Sequence, residues 1–238
     1  MGIRKNQRNL SAGEWNNFIA AIDALHGTAA APPAYRRFVT LHVEAMSMTG
    51  MSWAVHTMTM GGRLVRGRNF LAWHRRLVKL FEERLQKVDP NVTVPYWDSI
   101  ADRHIPAAIN DPALLLRWSV TRNWDPTQLA SPADLNAVKV YPGTFTGFQT
   151  LLEGHVHAGT HNAVGGDMAG AASPTDPLFW LHHSFIDKTW ADWQASSQGK
   201  KPPHTTEVLQ PVNMQPGVPF GVTVSSQLSI TKLGYSYA

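Results

Sequence analysis

The sequence predicts a mainly α fold in which a four-helix bundle carries long loops and little β structure. Three observations lead there: stretches of helical periodicity, start and stop signals at their ends, and histidines on their apolar stripes. The first helix opens on a capping box, Ser11-Ala12-Gly13-Glu14, continues through Trp15, Phe18, Ile19, Ile22 and Leu25, and stops at Gly27. Pro32-Pro33 opens the second, whose Tyr35, Phe38, His42 and Met46 share one face, so that His42 points inward. From Asn69 to Val88 the stripe Phe70, Leu77, Phe81 and Leu85 carries His74, while Arg75, Arg76, Lys79, Glu82, Glu83 and Lys87 are expected mostly outside. Asp89-Pro90 ends that helix. Residues 99–150 are rich in Pro, Asp, Asn and Thr without a sustained period, which predicts loops with short helices framing a site. Glu153, His157 and His161 recur every four residues, on one side of a helix that Gly165-Gly166 terminates. Asp176-Pro177 starts the last helix, with Phe179, His183, Ile186 and Trp190 facing in. The tail after Gln198 reads as coil or short strands.

Composition narrows the function. A chain of 238 residues is long enough for a sizeable core and is read as one domain, 1–238. The net charge of +4 comes from scattered Lys and Arg, which argues against a nucleic-acid partner. No apolar run approaches the length of a membrane span, and Met1–Leu10 is too polar for a secretory leader, so no membrane partner is expected and the location is left between the cytoplasm and export with a partner. Cysteine is absent, which removes disulfides, thiolate metal sites and cysteine nucleophiles. Any transition-metal chemistry falls to the 11 histidines, which gather in two clusters.

A single histidine on an apolar face is ordinarily a core residue with a satisfied ring. Here His157 and His161 stand at i and i+4, the spacing that aims two imidazoles at one point, and His42, His74 and His183 lie on the buried stripes of three further helices. Convergence on metal accounts for all of them. Imidazole ligands without cysteine suit copper or zinc; two clusters favour copper, whereas a hydrolytic zinc site needs only one. His155 falls off the face of His161, and His26, His104 and His204 sit at a helix end or in loops.

The stretches Asn69-Phe-Leu-Ala-Trp-His74-Arg75, Pro95-Tyr-Trp-Asp98 and Asp176-Pro-Leu-Phe-Trp-Leu-His-His183-Ser-Phe-Ile-Asp187 closely resemble the copper-binding regions of the tyrosinase and catechol oxidase family. Ile3-Arg-Lys-Asn-Gln7 and Leu233-Gly-Tyr-Ser-Tyr237 resemble the ends of its core domain. The resemblance implies two copper ions per chain, one held by His42, His56 and His74 and the other by His157, His161 and His183, with O₂ as co-substrate and a small phenol as substrate. Family members generally place the second histidine nine residues before the third; Val65 stands there, and His56 is assigned as the only histidine between His42 and His74, with Gly61-Gly62 and Gly67 in an inserted loop. Thioethers of Met58 or Met60 are the substitutes to consider for His56.

Glu153 matches the family's acidic residue four positions before a ligand and is the expected catalytic carboxylate; its alternative reading is an inert, exposed group near a helix N-terminus. Ala158 stands where tyrosinases often carry the Asn that, with the acid, holds a proton-accepting water. The resemblance therefore implies oxidation of o-diphenols to o-quinones, with slower hydroxylation of monophenols. Ala158, Asn162, Phe179, His182, Asp187 and Arg75 are the expected surroundings of ligands and substrate, His182 lying behind the ligand His183. Asp187 would orient a ligand, pair with Arg75, or be a plain surface residue, and Arg4 would stack on the closing tyrosines. The end of the chain at Ala238 leaves no expected shielding extension, and a separate copper-delivery partner is compatible with this layout. An o-aminophenol oxidase and a hemocyanin-like O₂ carrier are the rival readings.

Overall fold

The computed structural model describes residues 1–27, 34–47, 55–60, 62–65, 67–210 and 220–238; Pro32-Pro33, Gly61 and the side chains of Met58 and Met60 lie outside the described part. Helix α1, Ala12–His26, begins with the expected capping box, in which Ser11 and Glu14 bond each other's backbone reciprocally, and it ends at Gly27 with φ of 77°. Helix α2, Ala34–Ser47, and helix α3, Phe70–Gln86, pack on α1 and touch each other through Tyr35 and Phe38 against Phe81. Short capped helices α4 (Pro112–Trp118), α5 (Pro132–Lys139) and α6 (Phe145–Leu151) punctuate the loop-rich middle, as its composition predicts. Helix α6 runs directly into a π-helical turn, Leu152–Ala158, and then into α7, Gly159–Val164. Helix α8, Leu178–Ala195, lies along α3.

The bundle is therefore α2, α3, the α6–π–α7 rod and α8. Its core is aromatic: Phe81 stacks on Trp180 at 3.7 Å, and Phe38 and Tyr35 meet both rings edge-on. Strand β1 (Gly2–Arg4) pairs in parallel with the last strand, Tyr235–Tyr237, which ties the two ends of the described chain together. Between them β2 (Met58–Met60) and β3 (Arg63–Val65) form a hairpin, and the closing strand Tyr235–Tyr237 is β4. That hairpin occupies the insertion expected after His56.

Three expectations change. Arg75 and Glu82, expected outside, are fully buried because each meets an opposite charge from another element. Glu153 is not near a helix N-terminus, since its rod starts at Phe145; it sits in the π turn and is only 7% exposed. Asp187, which the sequence leaves between a surface and an inner position, is buried at the centre of a polar network.

Candidate metal centre

Four of the imidazoles are aimed by backbone carbonyls. His42 on α2 donates from Nδ1 to the Ala171 carbonyl at 2.6 Å, and His161 on α7 donates to Met168 at 2.7 Å. His74 and His157 donate to carbonyls one turn back, Phe70 at 2.9 Å and Glu153 at 3.2 Å. A carbonyl can only accept, so these four bonds place the proton on Nδ1 and leave the Nε2 lone pair facing inward. The loop carbonyls of Met168 and Ala171 are brought there by the break after α7. Gly165 and Gly166 take φ of 62° and 52°, and a Cβ on Gly165 would lie 2.7 Å from the Asn123 carbonyl oxygen.

The donor atoms form two groups. Those of His42, His56 and His74 lie within 4.8 Å of one another, and so do those of His157, His161 and His182. His183 stands between them: its ring stacks on His74 at 4.2 Å, and its Nε2 is 3.3 Å from the Nε2 of His161, close enough to serve the same ion. The second group thus has four imidazoles within reach, and the adjacent positions His182 and His183 both face it. His56 and His157, one from each group, have ring centres 5.6 Å apart.

Burial drives the imidazoles toward the neutral form. It pushes His42 and His161 down to about 4, against the opposing pull of their carbonyl partners, and holds His56, His74, His157, His182 and His183 well below the ordinary value, with the neighbouring rings adding to the effect. Neutral imidazoles are what a metal takes. The Nε2 atoms of His56, His74 and His157, both ring nitrogens of His182 and Nδ1 of His183 are buried without a hydrogen-bond partner. Such orphaned ring nitrogens are costly, and those that carry a lone pair are satisfied when a cation accepts it. Adjacent groups built only of imidazole therefore fit a binuclear copper site.

Two phenylalanines fill the flanks. Phe179 is fully buried, 5.1 Å from the ring of His42 and 4.2 Å from that of His183; Phe70 packs on His56, His74 and His157 at 4.7–5.1 Å. Phe70 is a site residue that the stripe pattern presents only as core, and no spacing singles it out. Ala158 and Asn162 lie on the exposed side of the rod. His155 and His104 are exposed and lie near Asp134 and Asp102, while His26 stacks on Tyr35, so none of these three joins the groups.

Behind the ligands, Asp187 accepts hydrogen bonds from Arg75, from Arg4 at 3.3 Å, and from the hydroxyls of Tyr235 and Tyr237 at 2.6 and 2.5 Å. Arg4 also grips Glu82 and lies over the Tyr235 ring at 3.7 Å, while Arg75 lies over Trp190 at 3.6 Å. Since Arg75 follows His74 and Asp187 is one turn beyond His183, this network locks the register of α3 against α8. Burial alone would raise the Asp187 carboxyl, but Arg75, Arg4 and the tyrosine hydroxyls hold it below the usual carboxylate range.

Comparison with known proteins agrees with this geometry. The family model for the common central domain of tyrosinase matches residues 32–116 and 111–196. A tyrosinase of Streptomyces lincolnensis is 34% identical over 82% of this chain and 83% of its own length. A polyphenol oxidase variant of Thermothelomyces thermophila superimposes with a TM-score of 0.73 at 20% identity, covering 100% of this chain and 89% of that one. A functional unit of octopus hemocyanin has a TM-score of 0.71 at 23% identity, covering 100% of this chain and 68% of that one. With matching copper-region motifs, paired imidazole groups and a shared fold, the chain belongs to the tyrosinase family of oxidoreductases.

Proposed function

We propose that the chain holds two copper ions, one at His42, His56 and His74 and one at His157, His161 and His183, and oxidises o-diphenols to o-quinones with O₂. The observation that carries this reading is the pair of adjacent all-imidazole groups whose Nε2 lone pairs converge. Bound copper would supply the electron exchange between phenol and O₂; two o-diphenols each give up two electrons and two protons, and one O₂ leaves as two waters. His183 is favoured as ligand over His182 because its ring lies between the two groups, with Nε2 against His161. His182 is also within reach of this group, stacked on His157 with ring centres 5.5 Å apart, and is the alternative donor.

The chain's own contributions are orientation and exclusion. Carbonyl partners fix four imidazole tautomers, and Phe70 and Phe179 keep the flanks of the ligand cluster apolar. A monophenol has to lose a proton from a hydroxyl of pKa about 10 before it is hydroxylated. Both oxygens of Glu153, the nearest carboxylate of the rod, already accept hydrogen bonds from Thr57, and the exposed Ala158 beside His157 has no side chain to hold a water. Diphenol oxidation is therefore read as the faster activity.

The test is a side-by-side assay of a monophenol, an o-diphenol and an o-aminophenol on protein loaded with copper and, separately, with zinc. The o-diphenol is expected to turn over fastest, with copper alone. Faster oxidation of the o-aminophenol would reassign the substrate, reversible O₂ uptake without phenol turnover would make the chain a carrier, and activity with zinc would overturn the metal. Loading to two coppers from a simple copper salt would remove the need for a delivery partner.

A further inference from the structure

His56 is held unlike the other imidazoles of its group. It lies outside any helix, just before the β2–β3 hairpin; no hydrogen bond from its Nδ1 to a described residue is seen, and Glu153 Oε1 is 3.9 Å away, too far for a hydrogen bond. The next residue is anchored firmly instead. The Thr57 backbone N–H donates to Glu153 Oε1 at 2.5 Å and its hydroxyl donates to Oε2 at 2.8 Å, so one carboxylate takes both donors of one residue. The same hydroxyl accepts from the Gly67 N–H at 3.0 Å, and the Gly67 carbonyl accepts from Gln149 Nε2 at 2.6 Å. Gln149 and Glu153 are four residues apart on the α6–π rod and clamp the two ends of the hairpin segment. The fit is close: a Cβ on Gly67 would stand 2.8 Å from the His56 carbonyl carbon and 2.9 Å from the Thr57 nitrogen.

We propose that Glu153 is a positioning residue for His56, acting through Thr57, and that the helix carrying His157 thereby sets the geometry of the opposite imidazole group. The inference rests on the copper reading above, but it departs from the role that the family likeness assigns to this carboxylate. Each Glu153 oxygen spends a lone pair on a donor of Thr57, so the carboxylate is held against the backbone that follows His56. Because the bonds run to the backbone immediately after His56, breaking them releases the only ligand of the first group that lacks a helix beneath it.

Thr57→Val tests this, since valine keeps the branched shape while removing the hydroxyl, and a free-base role for Glu153 does not involve Thr57. Wild-type protein, Thr57→Val, Thr57→Ser and Glu153→Ala are loaded with copper, and bound metal is measured by competition with a chelator. The expected result is that Thr57→Val and Glu153→Ala weaken one of the two coppers at least tenfold, and that Thr57→Ser restores it. The electron paramagnetic resonance spectrum of the remaining Cu(II) should match that of His42→Ala rather than His161→Ala. Two wild-type-strength coppers in Thr57→Val would overturn the proposal, as would equal weakening of both sites with a lowered melting temperature of the copper-free protein, which marks a purely structural bond. Amide hydrogen exchange of the copper-free protein separates this from the metal reading: Glu153→Ala should speed exchange at Thr57 at least tenfold. If wild type binds no copper but the Thr57 amide responds in this way, the metal reading fails and the anchor stands; an unresponsive amide overturns the anchor whatever metal binds.

Discussion

The two imidazole groups are built by opposite means. The second takes His157 and His161 from one helical segment beyond a kink at Gly154, and His182 and His183 from adjacent positions of α8, so local helix geometry delivers most of it. The first takes His42 from α2, His74 from α3 and His56 from a non-helical segment, and these meet only through contacts distant in sequence. Locally built groups tolerate the loss of a member better than groups assembled from distant pieces, because a neighbouring donor is already in place. His182 is that donor in the second group; among the described residues the first has no counterpart.

The largest test of this contrast is removal of one ligand from each side. His74→Ala and His183→Ala are both expected to reduce o-diphenol oxidation to background, while metal analysis shows His74→Ala falling to one copper per chain and His183→Ala retaining more, with His182 filling in. Equal loss of metal would remove the asymmetry, and full activity in either variant would overturn the ligand assignment.

Next in size is the network shared by both groups. Asp187→Asn leaves Arg75 buried without its anion, while Arg4 keeps Glu82; by comparison with other broken buried pairs this costs about 3–5 kcal/mol and should be read as a lower melting temperature with both coppers weakened together. The pH dependence has a definite sign. A carboxyl depressed on folding stabilises the fold above its unfolded value near pH 4, and that contribution fades as pH falls through the lower folded value. Acid titration of stability in wild type should therefore steepen below about pH 4, and Asp187→Asn should flatten that limb; an unchanged limb would place the titrating group elsewhere.

A smaller effect, confined to one side, is expected of Gly67→Ala. The added methyl meets backbone rather than a yielding side chain, so the segment of His56 has to move, at an overpacking cost of about 1–3 kcal/mol. Copper affinity should fall in the first group alone, and a fall in both would mean that the hairpin supports the whole bundle. The smallest effect belongs to Ala158→Asn on the second side. A positioning hydrogen bond there is worth about 1 kcal/mol, enough to raise the monophenol rate relative to the diphenol rate by about fivefold. No change in the ratio would mean that a residue at this position does not govern phenol deprotonation.

The same contrast explains what could be read in advance. Periodicity, capping boxes and stop glycines placed α1, α3, α7 and α8, because a helix is written in local spacing and in the few residues at its ends. His157, His161 and His183 followed from those helices and from the motif of the last one, and His56 emerged by elimination on the family likeness. The π turn and the early start of its helix at Phe145 were hidden, since residues 99–150 show no sustained period, and the alternative reading of Glu153, an exposed carboxylate near a helix N-terminus, rested on a helix starting there. What only the tertiary structure decided is where the charges and the loop ligand go. Arg75, Glu82 and Asp187 lie inside because partners distant in sequence neutralise them, and His56 reaches His42 and His74 because Glu153 and Gln149 hold its neighbours. Helical spacing is a property of consecutive residues and is legible in one strand of text; the burial of a charge or the aim of a loop depends on residues up to 183 positions away, as between Arg4 and Asp187, and no local pattern carries it.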